Sequence, residues 1–211
     1  MQPPAERDAI RSLEFEHRHI ERVLAVLSTA CSFDARIEPA VELIAGCVDF
    51  IEQYADGRHH AKEEHVLFEH MSAWGYSLEA GPLACMLSQH AECRRLTAQM
   101  KQWLCQPASE QAKQVASLRG AARRYIDLLS RHIVVEDSVL FPSALVRLPR
   151  NVLEQVARRY AEVDPHPAGD FAAAADRVLQ LAREVGPSRH DGTMTGGQGE
   201  ARTPRPQVPE R

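Results

Sequence analysis

No stretch of this chain approaches the roughly 18 consecutive apolar residues that a membrane-spanning helix requires; its apolar runs are a few residues long and are broken by charge. The opening segment, Met1 to Arg11, carries Pro3, Pro4, Glu6, Arg7 and Asp8 and lacks the apolar stretch of an export signal, so a cytoplasmic location is expected. The five cysteines, Cys31, Cys47, Cys85, Cys93 and Cys105, are odd in number and contain no CxxC pair, which argues for free thiols over a disulfide framework or a thiolate zinc site. A net charge of -4 with both signs interspersed leaves no basic stripe for nucleic acid and no polybasic anchor for a membrane surface. Alternating runs of β-branched residues, the mark of strands, are scarce as well.

What is present is helix-forming: Ala, Leu, Glu, Arg and Gln dominate. At 211 residues with 44% hydrophobic content, the chain has enough apolar material for one buried core and too little length for two ordinary enzyme domains. A first helix is expected from about Glu6 to Ala30, with a turn over Cys31 to Arg36. The second runs from Pro39 through His59 and Glu63 to about Trp74, where Gly75 stops it. Gly81 and Pro82 open the third, Leu83 to Cys105, and Pro107 with Ser109 precedes a fourth that ends at Pro142. The expected fold class is all-α: an antiparallel up-down four-helix bundle over residues 1–148. A helical extension follows over 149–185, with segments Asn151 to Val163 and Phe171 to Val185, acting as a lid or an added layer. Residues 186–211, rich in Gly, Pro, Thr and charge, are expected to be a disordered tail.

Comparison of the chain with itself at an offset of 73 residues exposes a repeat. Arg58 to Phe68 lies over Arg131 to Phe141 with six of eleven positions identical, and the same offset carries His17 onto His90. Each half thus holds one lone histidine on its first helix and one HxxxE on its second. Residues four apart on a helix point the same way, so His59 with Glu63, and His132 with Glu136, can each chelate. His19, His60, His65 and His70 fall over Glu92, Ile133, Ser138 and Ser143 and are set aside as unrepeated. Glu52 and Tyr125, seven residues before His59 and His132, share their faces and are read as a bundle-end polar residue and a core aromatic.

A single HxxxE is ordinarily a solvated pair on a helix face. Two copies, matched by lone histidines and set among Leu13, Leu24, Leu67 and Leu140, instead describe an inward polar set whose carboxylates would be costly to bury without a cation. Imidazole and carboxylate without thiolate suit iron or manganese better than structural zinc. Six such ligands cannot fill two octahedral shells, and the remaining positions suit a bridging oxide or hydroxide and an exogenous small molecule.

The segments EHRHI (Glu16 to Ile20), HHAKEEHVLF (His59 to Phe68), QHAECRRL (Gln89 to Leu96) and HIVVEDSVLFP (His132 to Pro142) resemble the hemerythrin-like, cation-binding HHE family over about Leu13 to Pro142. The resemblance implies a non-haem di-iron centre, oxo- or hydroxo-bridged, with His17, His59, His90 and His132 as terminal ligands and Glu63 and Glu136 as bridges. Glu136 has Asp137 as a rival, and the repeat favours Glu136. Oxygen-carrying members have a second histidine one turn from the one on the third helix, where this chain has Met86 and Arg94. That difference implies an open iron and reactivity toward peroxide, dioxygen or nitric oxide, in the manner of members with catalase-type activity. A sensor or an iron-handling binding module is the alternative. The implied partner is a small molecule; nucleic acid and membrane are excluded, and a protein partner is unassigned.

Overall fold

The computed structural model describes residues 9–32 and 37–185. Among the described residues there are six helices and no strand. Helix α1 is Ala9–Ser32. Helix α2 is continuous but not uniform: an α-helical start, Ile37–Phe50, passes into π-helical stretches, Ile51–His60 and Glu63–Leu67, and an α-helical end, Phe68–Ala73. Helix α3 is Gly81–Leu104. Helix α4 joins Ala108–Val135, a π-helical Glu136–Leu140, and Phe141–Arg147. Two shorter helices follow, α5 (Arg150–Val163) and α6 (Ala168–Val185). The disordered tail expected over 186–211 lies outside the described residues, as does the expected start of the first helix at Glu6.

Helices α1 to α4 close a ring in which α1 packs on α2 and α4, and α3 packs on α2 and α4. Positive φ angles at Gly75 (93°) and Gly81 (71°) let the chain leave α2 and enter α3 through a backbone conformation that other residues rarely adopt. Several boundaries move by one to three residues, with starts at Ile37, Gly81 and Ala168, and two further differences bear on packing. The first helix continues through Cys31, which is buried in the core, to Ser32. Helix α4 does not stop at Pro142 but runs on to Arg147. Pro142 directly follows a π turn, whose wider ring makes room for the pyrrolidine against the preceding carbonyls and so removes the clash that ends an ordinary α-helix.

The core is divided. One apolar cluster joins Leu24, Leu27, Cys47, Phe50, Met100 and Leu129 with Phe171 and Val178 from α6. The other joins Ile10, Leu13, Phe68, Met71, Leu83 and Phe141 with Val156 and Tyr160 from α5. The extension therefore supplies apolar surface to both ends of the bundle, and a belt of buried polar residues lies between. No helix among the described residues is long and apolar enough to cross a membrane.

Candidate metal centre

Glu16, His17, His59, His60, Lys62, Glu63, His90, His132 and Glu136 are all buried. The structure brings together all six residues singled out by the repeat. One set of ligand atoms, from His17, His59, Glu63 and Glu136, and a second, from His60, Glu63, His90 and His132, each fall within 4.8 Å of one another. Glu63 belongs to both. Its carboxylate lies 3.5 Å from His59 Nε2 and 3.5 Å from His90 Nε2. Glu136 Oε2 reaches both ways as well, 3.1 Å to His132 Nε2 and 3.3 Å to His17 Nε2.

All five imidazoles are oriented alike. Each directs Nδ1 outward: His17 to Asp137 Oδ1 (2.7 Å), His59 to Glu16 Oε2 (2.9 Å), His60 to Asp56 Oδ1 (3.3 Å), His90 to Glu64 Oε1 (2.7 Å) and His132 to Gln89 Oε1 (2.9 Å). These acceptors require the N–H on Nδ1, which leaves the Nε2 lone pair facing the centre, the tautomer a metal ligand needs. His90 Nε2 and His132 Nε2 stand 3.0 Å apart with both N–H groups committed outward, so lone pair faces lone pair. The outer carboxylates are themselves neutralised. Lys62 pairs with Glu16, Arg18 with Asp137, and Arg94 with both Asp56 (2.7 Å) and Glu64 (2.6 Å).

Among the described residues, no lysine or arginine pairs with the inner carboxylates of Glu63 and Glu136. Both oxygens of Glu63 and of Glu136, and Nε2 of His17, His59 and His60, are buried without a hydrogen-bond partner. Burial, reinforced by Glu136, pushes the Glu63 carboxyl well above its ordinary range. Burial, reinforced by the neighbouring imidazoles, holds His59 and His90 well below theirs. Burial opposes charge on His17 too, but Asp137 and Glu136 outweigh it and raise that group to about 9. Burial opposes charge on Glu136 as well, but His132 and His17 outweigh it and hold that carboxyl down to about 2; Glu63 has no such support, its buried charge is costly, and a cation at the shared focus would compensate it. The donor set thus fits a metal pair.

The offset of 73 also organises the outer shell. Glu16 lies over Gln89, and each supports the HxxxE histidine of its own half; Glu64 lies over Asp137, and each supports the lone histidine of the other half. Asp137, the rival to Glu136, is turned away from the focus toward His17 Nδ1 and Arg18. His60 is the residue that symmetry misses. Its ring stacks on His90, with centroids 3.9 Å apart and planes at 16°, and it joins Glu63, His90 and His132 in the second set. Its counterparts across the repeat, Ile133 for His60 and Leu129 for Asp56, show that ligand and support depart from symmetry together. The cause is local: a π turn shifts the helical phase by a residue, so adjacent His59 and His60 both reach the interior. Gly57 permits it, because a Cβ there would lie 3.0 Å from the Glu52 carbonyl oxygen. Glu52 itself faces outward and binds Lys101 Nζ at 2.5 Å, and Tyr125 is a fully buried aromatic of the first apolar cluster.

The family described as "Hemerythrin HHE cation binding domain" matches residues 8–144. The chain is also similar to the "Probable iron-sulfur cluster repair protein" of Haemophilus influenzae, 26% identical over 135 residues, covering 62% of this chain and 60% of that protein.

Proposed function

We infer the chemistry of this chain from the family to which it belongs, the hemerythrin HHE cation-binding domain proteins. It holds two iron ions and reacts with a small oxidant, peroxide, dioxygen or nitric oxide. His60, His90 and His132 serve one ion, His17 and His59 the other, and Glu63 and Glu136 serve both. The observation that carries this reading is the uniform orientation of five imidazoles, each with Nδ1 held outward and Nε2 turned to two unpartnered carboxylates. Imidazole and carboxylate without thiolate suit iron or manganese, and the family likeness favours iron. When bound, the pair supplies redox equivalents and Lewis acidity. The protein's own contribution is to fix the ligand tautomers, exclude bulk water and place a limit on open positions.

Counting sets that limit. Five nitrogens and four carboxylate oxygens offer nine donors for about twelve octahedral positions. Were an oxide or hydroxide shared by the two ions, one position would remain open, on the side of His17 and His59, which has one imidazole fewer. The vacancy expected beside His90 is occupied by His60.

The test is to load the protein with iron, measure metal per chain, and add hydrogen peroxide. Two irons per chain and sustained oxygen evolution are expected. Substituting His59→Ala or Glu136→Ala should abolish stoichiometric binding, whereas His65→Ala, at an exposed position, should not. Retention of iron by both of the first pair refutes the ligand assignment. A second reading, iron handling without turnover, draws on the name of the Haemophilus relative. It predicts a stable absorption change on adding oxidant and no oxygen evolution.

A further inference from the structure

Helix α5 lies beyond the residues matched to the family, yet it brings the ring of Tyr160 beside the cage residue Lys62, whose Nζ lies 5.8 Å from its centroid. Tyr160 is only 6% exposed, and its hydroxyl is buried without a hydrogen-bond partner. Burial keeps the phenol protonated, and the charges that act on it are the carboxylates of Glu63, Glu16 and Glu136. Together with Glu16 and Lys62 it lines a cavity of about 520 Å³ bordered outside by Ser12, Ala161 and His166. Glu16 is also the acceptor for His59, 2.9 Å away. The cavity therefore reaches the Glu16 support behind His59, on the half of the cage that the donor count leaves open.

We propose that Tyr160 donates a hydrogen bond to the small ligand taken up at that open position, and that the cavity beneath α5 is the route by which the ligand enters. The ligand class is a small molecule of two or three heavy atoms with a lone pair on its free end, such as peroxide, dioxygen or azide. The proposal rests on the two-ion reading above. A native buried hydroxyl is rarely left without a partner, and here the missing partner is the incoming ligand. The C-terminal extension is then part of the site, where sequence reading treats it as a lid or an added layer.

Azide is the probe, titrated into the full-length, iron-loaded, oxidised protein by visible absorption, with association and dissociation followed by stopped flow. Tyr160→Phe should keep the wild-type iron content and weaken azide roughly tenfold or more, through faster dissociation. Ala161→Trp, at an exposed wall of the cavity, should slow association and dissociation together and leave affinity unchanged. Tyr125→Phe removes another partnerless buried phenol, one placed beside Cys93 and Asp56 instead of the inner carboxylates, and should change neither rate. Wild-type affinity and rates in Tyr160→Phe overturn the hydrogen bond, and wild-type rates in Ala161→Trp overturn the route. Loss of iron in Tyr160→Phe, or loss of an absorption band present before azide is added, makes the tyrosine an assembly residue or a metal ligand and also overturns the proposal. A wild-type protein that takes up no iron defeats the two-ion reading first; one that takes up iron but fails these comparisons leaves that reading standing.

Discussion

The ring of His60 lies flat on that of His90, 3.9 Å between centroids, and the acceptors behind the two rings, Asp56 and Glu64, are gripped by the same arginine, Arg94. Ligand, neighbour and support form one unit, and His60→Ala should therefore remove more than one donor. The expected outcome is iron falling from two toward one per chain, with little loss of helical content by circular dichroism. Undiminished binding of two irons would show that His60 is only a packing residue.

The outer acceptors set the tautomers, so their effect should appear in affinity and not in fold. Glu64→Gln or Asp137→Asn keeps the shape but weakens the hold on His90 or His17, and iron affinity should fall about 10- to 100-fold. Competition with a chelator measures it. Equal affinity in both variants would remove these residues from the account.

The metal-free protein should respond to pH in an unusual direction. Glu63 and His17 both have folded-state pKa values above their ordinary 4.5 and 6.5, His17 at about 9. The stability that each contributes while protonated is lost as pH rises toward the folded value. His59 and His90, held below 6.5, instead cost stability as pH falls beneath that point. Between pH 6.5 and 9 only the first effect operates, and the melting temperature without metal should decline. Bound cations hold the deprotonated forms, so the loaded protein should not follow, and the gap between the two should widen across this interval. Parallel melting curves over that range would contradict the assignment.

Gly57 offers a separate check on the π-helical turn. A methyl group at this position meets backbone 3.0 Å away, so Gly57→Ala should destabilise the protein although alanine is ordinarily the better helix former, by roughly 1 kcal/mol. Thermal melts report the sign. A stabilised variant would indicate that the turn relaxes to ordinary helix at no cost.

Phe171 tests whether α6 belongs to the core. It is fully buried, with its ring edge-on to Phe50 at 5.5 Å and Tyr54 at 5.6 Å. Phe171→Ala should cost about 3–5 kcal/mol and lower the melting temperature by roughly 10 °C or more, with iron content unchanged at room temperature. An unaffected melt would mean that α6 is dispensable.

The order of the helices and the convergence of six side chains were legible in the sequence because they rest on two robust signals, helical periodicity and a repeat with identical residues. The outer acceptors were present in the same alignment but hidden by conservative change, Glu16 over Gln89 and Glu64 over Asp137. Acceptor capacity survives those changes while identity does not. His60 was beyond reach for a different reason: an argument from symmetry discards whatever is unpaired, and a π turn breaks symmetry by one residue. Gly57 in mid-helix was the local clue, since glycine there is tolerated only for a reason. Pro142 misled likewise, because its usual veto applies to α-helical turns and not to the wider turn that precedes it.

The separation of the apolar interior into two clusters has a mechanical consequence. With the centre empty, the bundle is a pair of oily plugs joined across a waist of buried polar groups that lack hydrogen-bond partners, and that waist is the plane along which the helices part most easily. Amide hydrogens near His59 and His132 should then exchange first in the empty protein and among the last in the filled one. Uptake of a cation at the waist would in this sense be the closing step of folding, the rivet that turns two stacked half-cores into one rigid column.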